Sequence, residues 1–339
     1  MILCGDIGGT KALLAIADDK VTLRFQRRYA CADYNDFAPL FNDFLAEARA
    51  AGIAPTQLAG GCLAVAGPVE EDGQRARLTN LPWHIDAAEL SAQHGCGPLM
   101  LINDFAAAAA GIEAISAHDI VTLQTGEPCE HGTRVVVGAG TGLGVATLVW
   151  QNAAKDLGGY RILPGEGGHC GFAPANAEQA ALWAFLSART PDGRVTAERV
   201  VSGPGLLAIY DFLCSTHGTD GADQPDPRGT ADPAAALTQL AATRPDSRAR
   251  HAVDLFCAAY GAFAGDLAMT LLARGGVYIA GGIAARILPL LQAGPFLAAF
   301  NAKAEHAALA ARMPLHVVTD TELGLKGAAL LALQHMPDA

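Results

Sequence analysis

Two glycine-rich turns, each set between apolar strands, constrain the fold of this chain most strongly. The first is Gly8-Gly9-Thr10 and the second is Gly138-Ala139-Gly140-Thr141-Gly142, and each contains a Gly-Thr step. Predicted strands flank both turns, at residues 2–7, 12–17 and 21–29 for the first and at residues 134–137, 145–150 and 160–163 for the second. The pattern indicates one supersecondary plan used twice, about one domain apart.

Hydrophobic periodicity outlines the remaining elements. Further strands are predicted at residues 61–66, 99–102, 277–280 and 315–318. Helices are predicted at residues 36–51, 86–93, 105–111, 177–189, 197–201, 205–214, 231–242, 247–273, 281–291 and 323–335. The segment 215–232 is rich in Gly, Asp and Pro and is predicted to be a mobile surface loop. Strands that alternate with helices place the chain in the α/β class.

Composition narrows the class of partner. The 339 residues correspond to two domains, at about 150 residues each, and the 51% apolar content is ample for packed cores. The net charge of −11 repels phosphate backbones, so no nucleic-acid partner is expected, although backbone N–H groups can still hold a nucleotide. The longest uncharged run includes Val135–Gln151, which carries four glycines and predicts two strands, so no membrane partner is expected.

The cysteines and the N-terminus both favour the cytoplasm. No two of the eight cysteines are closer than 27 residues, so a zinc ribbon or a thioredoxin-like pair is not expected. Scattered cysteines of this kind are usually buried, reduced and inert. The segment Met1–Asp6 has neither a basic region nor a long apolar stretch, so no signal peptide is expected.

The first glycine turn is suited to holding phosphate. Glycines let the backbone approach an oxyanion closely, and Asp6 leaves a carboxylate at the strand end that can hold Mg²⁺ through water. A plain hairpin with a solvated aspartate is the alternative. The run Gly138–Gly144 has neither the spacing nor the following helix of a dinucleotide fingerprint, and no Walker A sequence occurs in the chain. Phosphates, if bound, are therefore expected at two hairpin loops.

Polar residues that could bind a polyol follow several strands. Asn103-Asp104 ends a predicted strand and opens a helix, which suits either a simple helix cap or an amide beside a carboxylate base. Glu166 and His169 are three residues apart among glycines, and such polar side chains are poorly suited to a core but can bind hydroxyls. A metal site is less favoured, because no third ligand lies nearby in the sequence. Cys170 is interpreted as structural.

Two further positions have both a structural and a functional interpretation. Glu198 is expected in the first turn of a helix, where its negative charge would interact favourably with the helix dipole. Gly281-Gly282 stands between a strand and a helix, where it could admit a nucleotide or serve only tight packing.

Taken in order, these motifs resemble the bacterial ATP-dependent glucokinases of the hexokinase, Hsp70 and actin superfamily. The matching segments, spread over nearly the whole chain, are Gly5–Thr10, Leu78–Trp83, Ile102–Phe105, Gly138–Gly144, Leu163–His169, Glu198–Gly205 and Gly276–Gly282. Only Cys170 follows His169, so the zinc-binding cysteine cluster of the related ROK sugar kinases is missing and the branch without zinc is favoured. Lys11 is a departure, because enzymes of this branch often carry Asn there.

The resemblance implies a two-domain actin-like ATPase fold, similar to ribonuclease H, with mixed sheets flanked by helices and a cleft between the domains. Residues 1–113 would form a small α/β domain, completed by the C-terminal helix 320–339, and residues 114–319 a large α/β domain. The family also implies a cytoplasmic homodimer that uses ATP and Mg²⁺ to convert D-glucose into glucose 6-phosphate, the first step of glycolysis.

The resemblance also implies a role for each motif residue. Asp104 would be the general base toward the sugar 6-hydroxyl. The sugar ligands would be Asp104 together with Asn80, Asn103, Glu166, His169 and Glu198. The residues that hold ATP would be Asp6, Gly8, Gly9, Thr10, Gly138, Gly140, Thr141, Gly281 and Gly282, with Asp6 also reaching Mg²⁺ through water.

Three alternatives remain open from the sequence. A kinase of the same fold could act on mannose, fructose or an N-acetylhexosamine, because epimers are told apart by the placement of a few hydrogen bonds. A sugar-sensing regulator would need a helix-turn-helix, and the first predicted strand at Ile2 leaves no room for one. An actin-like filament or a chaperone ATPase would have no evident use for Glu166, His169 and Glu198.

Overall fold

The computed structural model describes residues 1–152, 159–217 and 226–335, so the central part of the predicted loop at 215–232 lies outside the described residues. The strands are β1 Ile2–Ile7, β2 Lys11–Ala17, β3 Leu23–Ala30, β4 Gly60–Val65, β5 Arg75–Arg77, β6 His84–Asp86, β7 Leu99–Asn103, β8 Ile120–Gln124, β9 Arg134–Ala139, β10 Leu143–Gln151, β11 Gly159–Gly165, β12 Gly276–Ala280 and β13 Leu315–Val318.

The helices occupy the intervals between these strands. They are α1 Phe37–Ala50, α2 Ala87–His94, α3 Asp104–Gly111, α4 Ala177–Ser187, α5 Gly203–His217, α6 Pro233–Thr243, α7 Arg248–Leu271, α8 Gly282–Arg286, α9 Leu288–Gln292, α10 Pro295–Asn301, α11 Ala307–Ala310 and α12 Leu323–Gln334. Contacts divide the chain into two compact units. Unit 1 comprises Met1–Ala117 and the C-terminal segment from Glu322, and unit 2 comprises His118–Thr321.

The sheet of unit 1 has the strand order β3-β2-β1-β4-β7. Strands β1, β2 and β3 form an antiparallel meander, and β4 and β7 then add in parallel beside β1. The interior strand β4 is buried throughout, as expected for a parallel strand covered on both faces, whereas the edge strand β3 is mostly exposed. The carboxyl ends of β1, β4 and β7 therefore meet at one edge of this sheet.

The sheet of unit 2 repeats this order as β11-β10-β9-β12-β13 and adds the antiparallel edge strand β8. The shared order confirms the prediction that one supersecondary plan is used twice. The buried side chains of Val135, Val137 and Ala139 on β9 belong to the same apolar core as α5 and α7.

Two glycines let helices α3 and α12 of unit 1 pack backbone against backbone. A Cβ added at Gly327 would overlap the Ala107 carbonyl oxygen, and one added at Gly111 would overlap the Leu323 carbonyl oxygen. Any larger residue would push the helices apart, because neither carbonyl can move without breaking its helix. This packing holds the first turns of α12 against the middle and the end of α3.

Helix α7 is the long apolar helix predicted over 247–273, and Ser247 caps it by accepting a hydrogen bond from the Arg250 N–H at 3.0 Å. Among the described residues it alone is long and apolar enough to cross a membrane, by length and composition only. A buried core helix passes the same test, and α7 is mostly buried within unit 2, where Gly261 and Gly265 admit α10 closely.

Several elements differ from the sequence prediction. The helix expected at 197–201 is a three-residue 3-10 turn, Ala197–Arg199, and α5 begins at Gly203 because Pro204, which has no N–H, fits a first helical turn. The helix expected over 281–291 is interrupted at Ile287, because Pro289 cannot continue the hydrogen-bond ladder.

Short elements were not predicted. Strands β5 and β6 have three residues each, too few for a periodic signal, and β8 is a half-buried edge strand without clear alternation. Helix α10 also escaped prediction. The glycine turn predicted over 138–142 is shorter than expected, since Gly138 and Ala139 still belong to β9.

The cysteines are all free, but their burial is uneven. Cys4, Cys31, Cys62 and Cys257 are buried, and burial raises the pKa of the Cys62 thiol to about 12. Cys129 and Cys170 are exposed. The expectation of burial is therefore wrong for these two, because each lies in a surface segment outside the packed sheets.

Candidate active site

The turn Gly8-Gly9-Thr10 connects β1 to β2 and is held by main-chain hydrogen bonds. The Gly8 N–H donates to the Lys11 carbonyl at 3.0 Å, and the Cys31 N–H donates to the Thr10 carbonyl at 2.9 Å. A Cβ added at Gly9 would lie 2.9 Å from the Cβ of Asn80, so the structure brings Asn80 beside this turn. The Thr10 and Asn80 side chains are exposed and available to a ligand.

Asp6 lies one residue before the end of β1, half-buried, with its carboxylate against the first turn of α12. A Cβ added at Gly324 would stand 3.2 Å from Asp6 Oδ2, so only a glycine leaves the carboxylate undisturbed. Burial raises the pKa of Asp6, and the nearby positive charge of Lys11 acts in the opposite direction. A partly buried carboxylate with a raised pKa is one that a cation would stabilise.

Asn103 and Asp104 lie where β7 passes directly into α3. Asn103 caps the helix, because its Oδ1 accepts hydrogen bonds from the N–H groups of Phe105 at 3.0 Å and Ala106 at 3.3 Å. The Phe105 N–H also donates to Asp104 Oδ1 at 2.8 Å. Both side chains are half-buried. The cap interpretation of Asn103 is therefore realised, and it fixes the carboxylate that follows.

The sheet register places these groups on one edge of unit 1. Asp6 pairs with Ala64 on β4, and Ala64 pairs with Ile102 on β7. Two strand spacings of about 4.8 Å separate β1 from β7, so the backbones of Asp6 and Ile102 are about 10 Å apart, and Asp104 follows Ile102 by two residues at the same edge. The edge therefore carries a carboxylate near the end of β1 and another at the beginning of α3.

The second hairpin connects β9 to β10 through Gly140-Thr141-Gly142 in unit 2. The buried Tyr260 hydroxyl supports its base, donating to the Val137 carbonyl at 3.1 Å and accepting from the Ala139 N–H at 3.2 Å. Gly138 is buried within β9, while Thr141 is exposed at the tip. The hairpin therefore presents residues 140–142, and Gly138 only shapes its stem.

Gly281 and Gly282 lie beside this hairpin, because β12 runs parallel to β9 and pairs Ala280 with Gly138. Gly281 has a φ of +90°, and a Cβ there would lie 2.6 Å from the Ala139 carbonyl oxygen. Gly282 begins α8 and has open space where a Cβ would be. The tight-packing interpretation thus holds for Gly281, and the exposed backbone of both residues is accessible.

Glu198 contacts the second hairpin directly. Its Oε2 accepts a hydrogen bond from the Leu143 N–H at 2.9 Å, immediately after the glycine tip. The residue lies in the 3-10 turn and not in a helix, so the predicted interaction with a helix dipole does not occur there. The Glu198 side chain is half-buried.

Glu166 precedes the 3-10 turn Gly167–His169, whose last residue is His169, and the turn packs on β10. The Glu166 and His169 side chains are 87% and 61% exposed, and His169 Nε2 lies 3.9 Å from Glu166 Oε2. The exposure leaves their acceptors and donors available for a ligand. The turn is also joined to Glu198's turn, because the Ala197 N–H donates to the Cys170 carbonyl at 2.8 Å.

The predicted site residues thus fall into two clusters, one in each unit. Unit 1 holds Asp6, Gly8, Gly9, Thr10, Asn80, Asn103 and Asp104. Unit 2 holds Gly138, Gly140, Thr141, Glu166, His169, Glu198, Gly281 and Gly282. Within the described ranges, no group of three or more His, Cys, Asp and Glu side chains could hold a metal ion by protein ligands alone.

Sequence reasoning missed three contributors: Gly324 against Asp6, Tyr260 beneath the second hairpin, and the Leu143 N–H. Each acts across a large separation in sequence, and none carries a local motif.

Comparison with known proteins identifies the family. The family model described as glucokinase matches residues 3–335. A glucokinase of Nostoc sp. is 37% identical over 348 aligned positions, which cover 98% of each chain. The chain belongs to the glucokinase family. A glucokinase of Synechocystis sp. is likewise 37% identical over 98% of each chain.

Solved glucokinase structures share the architecture. The crystal structure of a glucokinase from an Antarctic psychrotroph superposes with a TM-score of 0.79 at 30% identity and covers 98% of each chain. A ROK-family glucokinase from Streptomyces griseus, solved in complex with glucose and AMPPNP, superposes with a TM-score of 0.65 at 19% identity, over 98% of this chain and 99% of that one. This glucokinase family member therefore has the mixed α/β, two-domain actin-like fold of those sugar kinases.

Proposed function

We propose that this chain transfers the γ-phosphoryl group of ATP to the 6-hydroxyl of D-glucose. The observation that carries the proposal is the position of Asp104, which begins α3 on the same sheet edge as the Asp6–Thr10 turn. Membership of the glucokinase family along residues 3–335 supports the reaction, and the Streptomyces griseus complex supports ATP as donor.

Asp104 is the proposed general base. A sugar hydroxyl is a weak nucleophile, and a positioned carboxylate that takes its proton contributes about 10²–10⁴-fold to the rate. Asp104 accepts the 6-hydroxyl proton while the oxygen forms a bond to the γ-phosphorus. The bond from that phosphorus to its bridging oxygen breaks, and ADP leaves with the electron pair. The Asn103 cap holds the carboxylate in place through the first turn of α3.

The two glycine hairpins are the proposed phosphate holders. Gly9, Thr10 and Thr141 offer backbone N–H groups and hydroxyls to phosphate oxygens. The N–H groups of Gly8 and Gly140 donate within their own turns, so these two glycines contribute by letting the backbone approach the phosphates closely. Gly138 contributes only through the stem of its hairpin. Gly281 and Gly282 border the adenosine, where the missing Cβ of Gly282 leaves room.

Asp6 is the proposed contact to Mg²⁺ through water. Mg²⁺ commonly keeps several waters and binds one or two carboxylates besides the substrate phosphates, so a single carboxylate fits it. The burial that raises the pKa of Asp6 also fits, because a cation would offset that cost. When bound, Mg²⁺ neutralises charge on the transferring phosphoryl group.

The sugar ligands are proposed to be Asn80, Asn103, Glu166, His169 and Glu198, along with Asp104. Amide and carboxylate groups in both units can accept from or donate to hydroxyls. We further propose that the two units are the two domains, and that the chain acts in the cytoplasm as a homodimer. Sedimentation velocity should then give twice the chain mass of 34.9 kDa.

A coupled assay of ADP release over a panel of hexoses tests the proposed function. Glucose should give the highest kcat/KM, while mannose, fructose and N-acetylglucosamine should give lower values. Incubation without sugar is the control, and it should release little ADP. Equal or faster turnover with another hexose would show that glucose is not the preferred acceptor. ADP release that does not depend on sugar would contradict the proposal.

A further inference from the structure

We infer that Glu198 is a positioning residue for the nucleotide as well as a sugar ligand, so that one carboxylate couples the two binding events. The inference rests on the proposed function for its sugar half. Its nucleotide half rests on contacts within unit 2. The proposed sugar role of Glu198 does not by itself require any contact with the Gly140–Gly142 hairpin, which the structure nevertheless shows.

Two observations show the contact between the Glu198 carboxylate and the hairpin. Glu198 Oε2 accepts the Leu143 N–H at 2.9 Å, which fixes the hairpin immediately after its glycine tip. A Cβ added at Gly142 would lie 2.7 Å from the same Oε2, so the hairpin approaches the carboxylate as closely as glycine allows. The hydrogen bond and the close approach both indicate that the Glu198 carboxylate supports the hairpin, and we call this contact the brace.

The backbone that carries Glu198 is itself held firmly. The Ser202 hydroxyl donates to the Glu198 carbonyl at 2.7 Å and accepts from the Gly205 N–H at 3.0 Å. The Gly203 N–H donates to the Gly140 carbonyl at 2.8 Å, which ties the beginning of α5 to the other side of the hairpin. Movement of the carboxylate is therefore transmitted to the hairpin and is not absorbed by a loose turn.

A second connection joins the brace to the turn between Glu166 and His169. The Ala197 N–H donates to the Cys170 carbonyl at 2.8 Å, and Gly168 packs so closely that a Cβ there would overlap the Leu143 carbonyl oxygen. The turn that carries two proposed sugar ligands thus contacts the same residue, Leu143, whose N–H Glu198 accepts.

A carboxylate can serve both partners because its two oxygens offer about four acceptor positions. The Leu143 N–H occupies one position on Oε2, and a sugar hydroxyl can use another. Sugar binding would then hold the carboxylate in the position that orders the hairpin for nucleotide. By thermodynamic linkage, nucleotide binding would strengthen sugar binding by the same factor.

Isothermal titration with AMPPNP and with D-glucose tests the inference. Glu198→Ala removes the brace, so AMPPNP affinity measured without sugar should fall about tenfold, the loss expected for a hydrogen bond to a charged group. Glu198→Gln keeps an acceptor oxygen for Leu143 and should retain most of that affinity while glucose binding weakens. Unchanged AMPPNP affinity in Glu198→Ala would overturn the inference.

A double-mutant cycle isolates the contact. Gly142→Ala should weaken glucose binding in the wild-type background, because the added methyl displaces the Glu198 carboxylate, and should have little further effect on glucose after Glu198→Ala. Gly140→Ala adds a methyl to the same hairpin with nothing within 4 Å, and its effects should simply add to those of Glu198→Ala. Additive effects of Gly142→Ala would also overturn the inference.

Failure of the inference can be distinguished from misfolding of the variant and from failure of the proposed function. If Glu198→Ala does not fold, as circular dichroism would show, Glu198→Gln and Gly142→Ala still decide through the split between AMPPNP and glucose affinity. If the wild-type chain binds no glucose, the proposed function fails. The AMPPNP titration without sugar then still decides whether Glu198 braces the hairpin.

Discussion

The two glycine hairpins follow the same strand order but are supported in different ways. In unit 1, main-chain hydrogen bonds from Gly8 and Cys31 hold the turn, and the Asp6 carboxylate rests against α12. In unit 2, main-chain hydrogen bonds from Gly140 and Gly203 also hold the turn, and a side chain adds to them, because Glu198 accepts the Leu143 N–H. The strand order alone therefore does not determine how each hairpin is held.

The difference also separates the chemistry of the units. The Asp6 and Asp104 carboxylates of unit 1 are half-buried at a sheet edge, where strands and helix starts fix them. Glu166 and His169 of unit 2 are largely exposed. We expect unit 1 to supply groups that are positioned before substrate arrives, and unit 2 to supply groups that a sugar orders.

The largest expected effect is on the base in unit 1. Asp104→Ala should lower kcat by about 10²–10⁴-fold, because no group then takes the 6-hydroxyl proton, while AMPPNP still binds. The matched control is Asp86→Ala, which removes a carboxylate that caps α2 in the same unit and should cost about 1 kcal/mol of stability without lowering kcat. Near-normal turnover in Asp104→Ala would refute the base assignment.

The next effect concerns an exposed ligand in unit 2. Glu166→Gln should weaken glucose binding by about tenfold or more and leave AMPPNP binding nearly unchanged, because a charge-assisted acceptor is lost on the sugar side only. Glu130→Gln, at a carboxylate that is 90% exposed, serves as the control in the same titrations. An unchanged glucose affinity would remove Glu166 from the proposed sugar ligands.

A smaller effect distinguishes the adjacent glycines of unit 2. Gly281→Ala should lower the free energy of unfolding by about 1–2 kcal/mol, because φ is +90° and the methyl would meet the Ala139 carbonyl. Gly282→Ala should be neutral or slightly stabilising, since its Cβ meets open space and the residue begins a helix. Urea titration without nucleotide measures both, and equal losses would contradict the packing difference.

The smallest effect is a gain of stability in unit 1. Burial raises the pKa of Asp6, so its protonated form is favoured in the fold and the ionised form costs stability at neutral pH. Asp6→Asn should therefore raise the unfolding midpoint at pH 7 in metal-free buffer and should lose kinase activity. The gain should vanish as the pH falls toward the ordinary carboxyl pKa of about 4. A midpoint that does not rise at pH 7 would show that the burial cost is already offset.

The sequence predicts the repeated sheets well, because their strands are long apolar runs separated by glycine turns. Strand β1 is found at the predicted residues, and α1 and α7 differ from prediction by only one or two residues at each end. These elements are predictable because the spacing of apolar residues within each segment is enough to identify it as a strand or a helix. This signal fails at β5 and β6, whose three-residue length carries no period, and at the 3-10 turn 197–199.

The candidate site was predicted as a set of residues but not as an arrangement. Asn103 and Asp104 have a local signal, since an Asx pair follows a strand and precedes an alanine-rich helix. The contact of Gly324 with Asp6 joins residues 318 positions apart, and no periodicity reports it. The brace between Glu198 and Leu143 depends on the packing of two turns, which only the three-dimensional structure shows.

A crystal structure with D-glucose and AMPPNP bound tests the central claim most directly. The account predicts the sugar 6-hydroxyl oxygen within about 3 Å of a carboxylate oxygen of Asp104, with the γ-phosphorus on its far side. A 6-hydroxyl held instead by Glu166 or Asp6, with Asp104 out of hydrogen-bond reach, would contradict it.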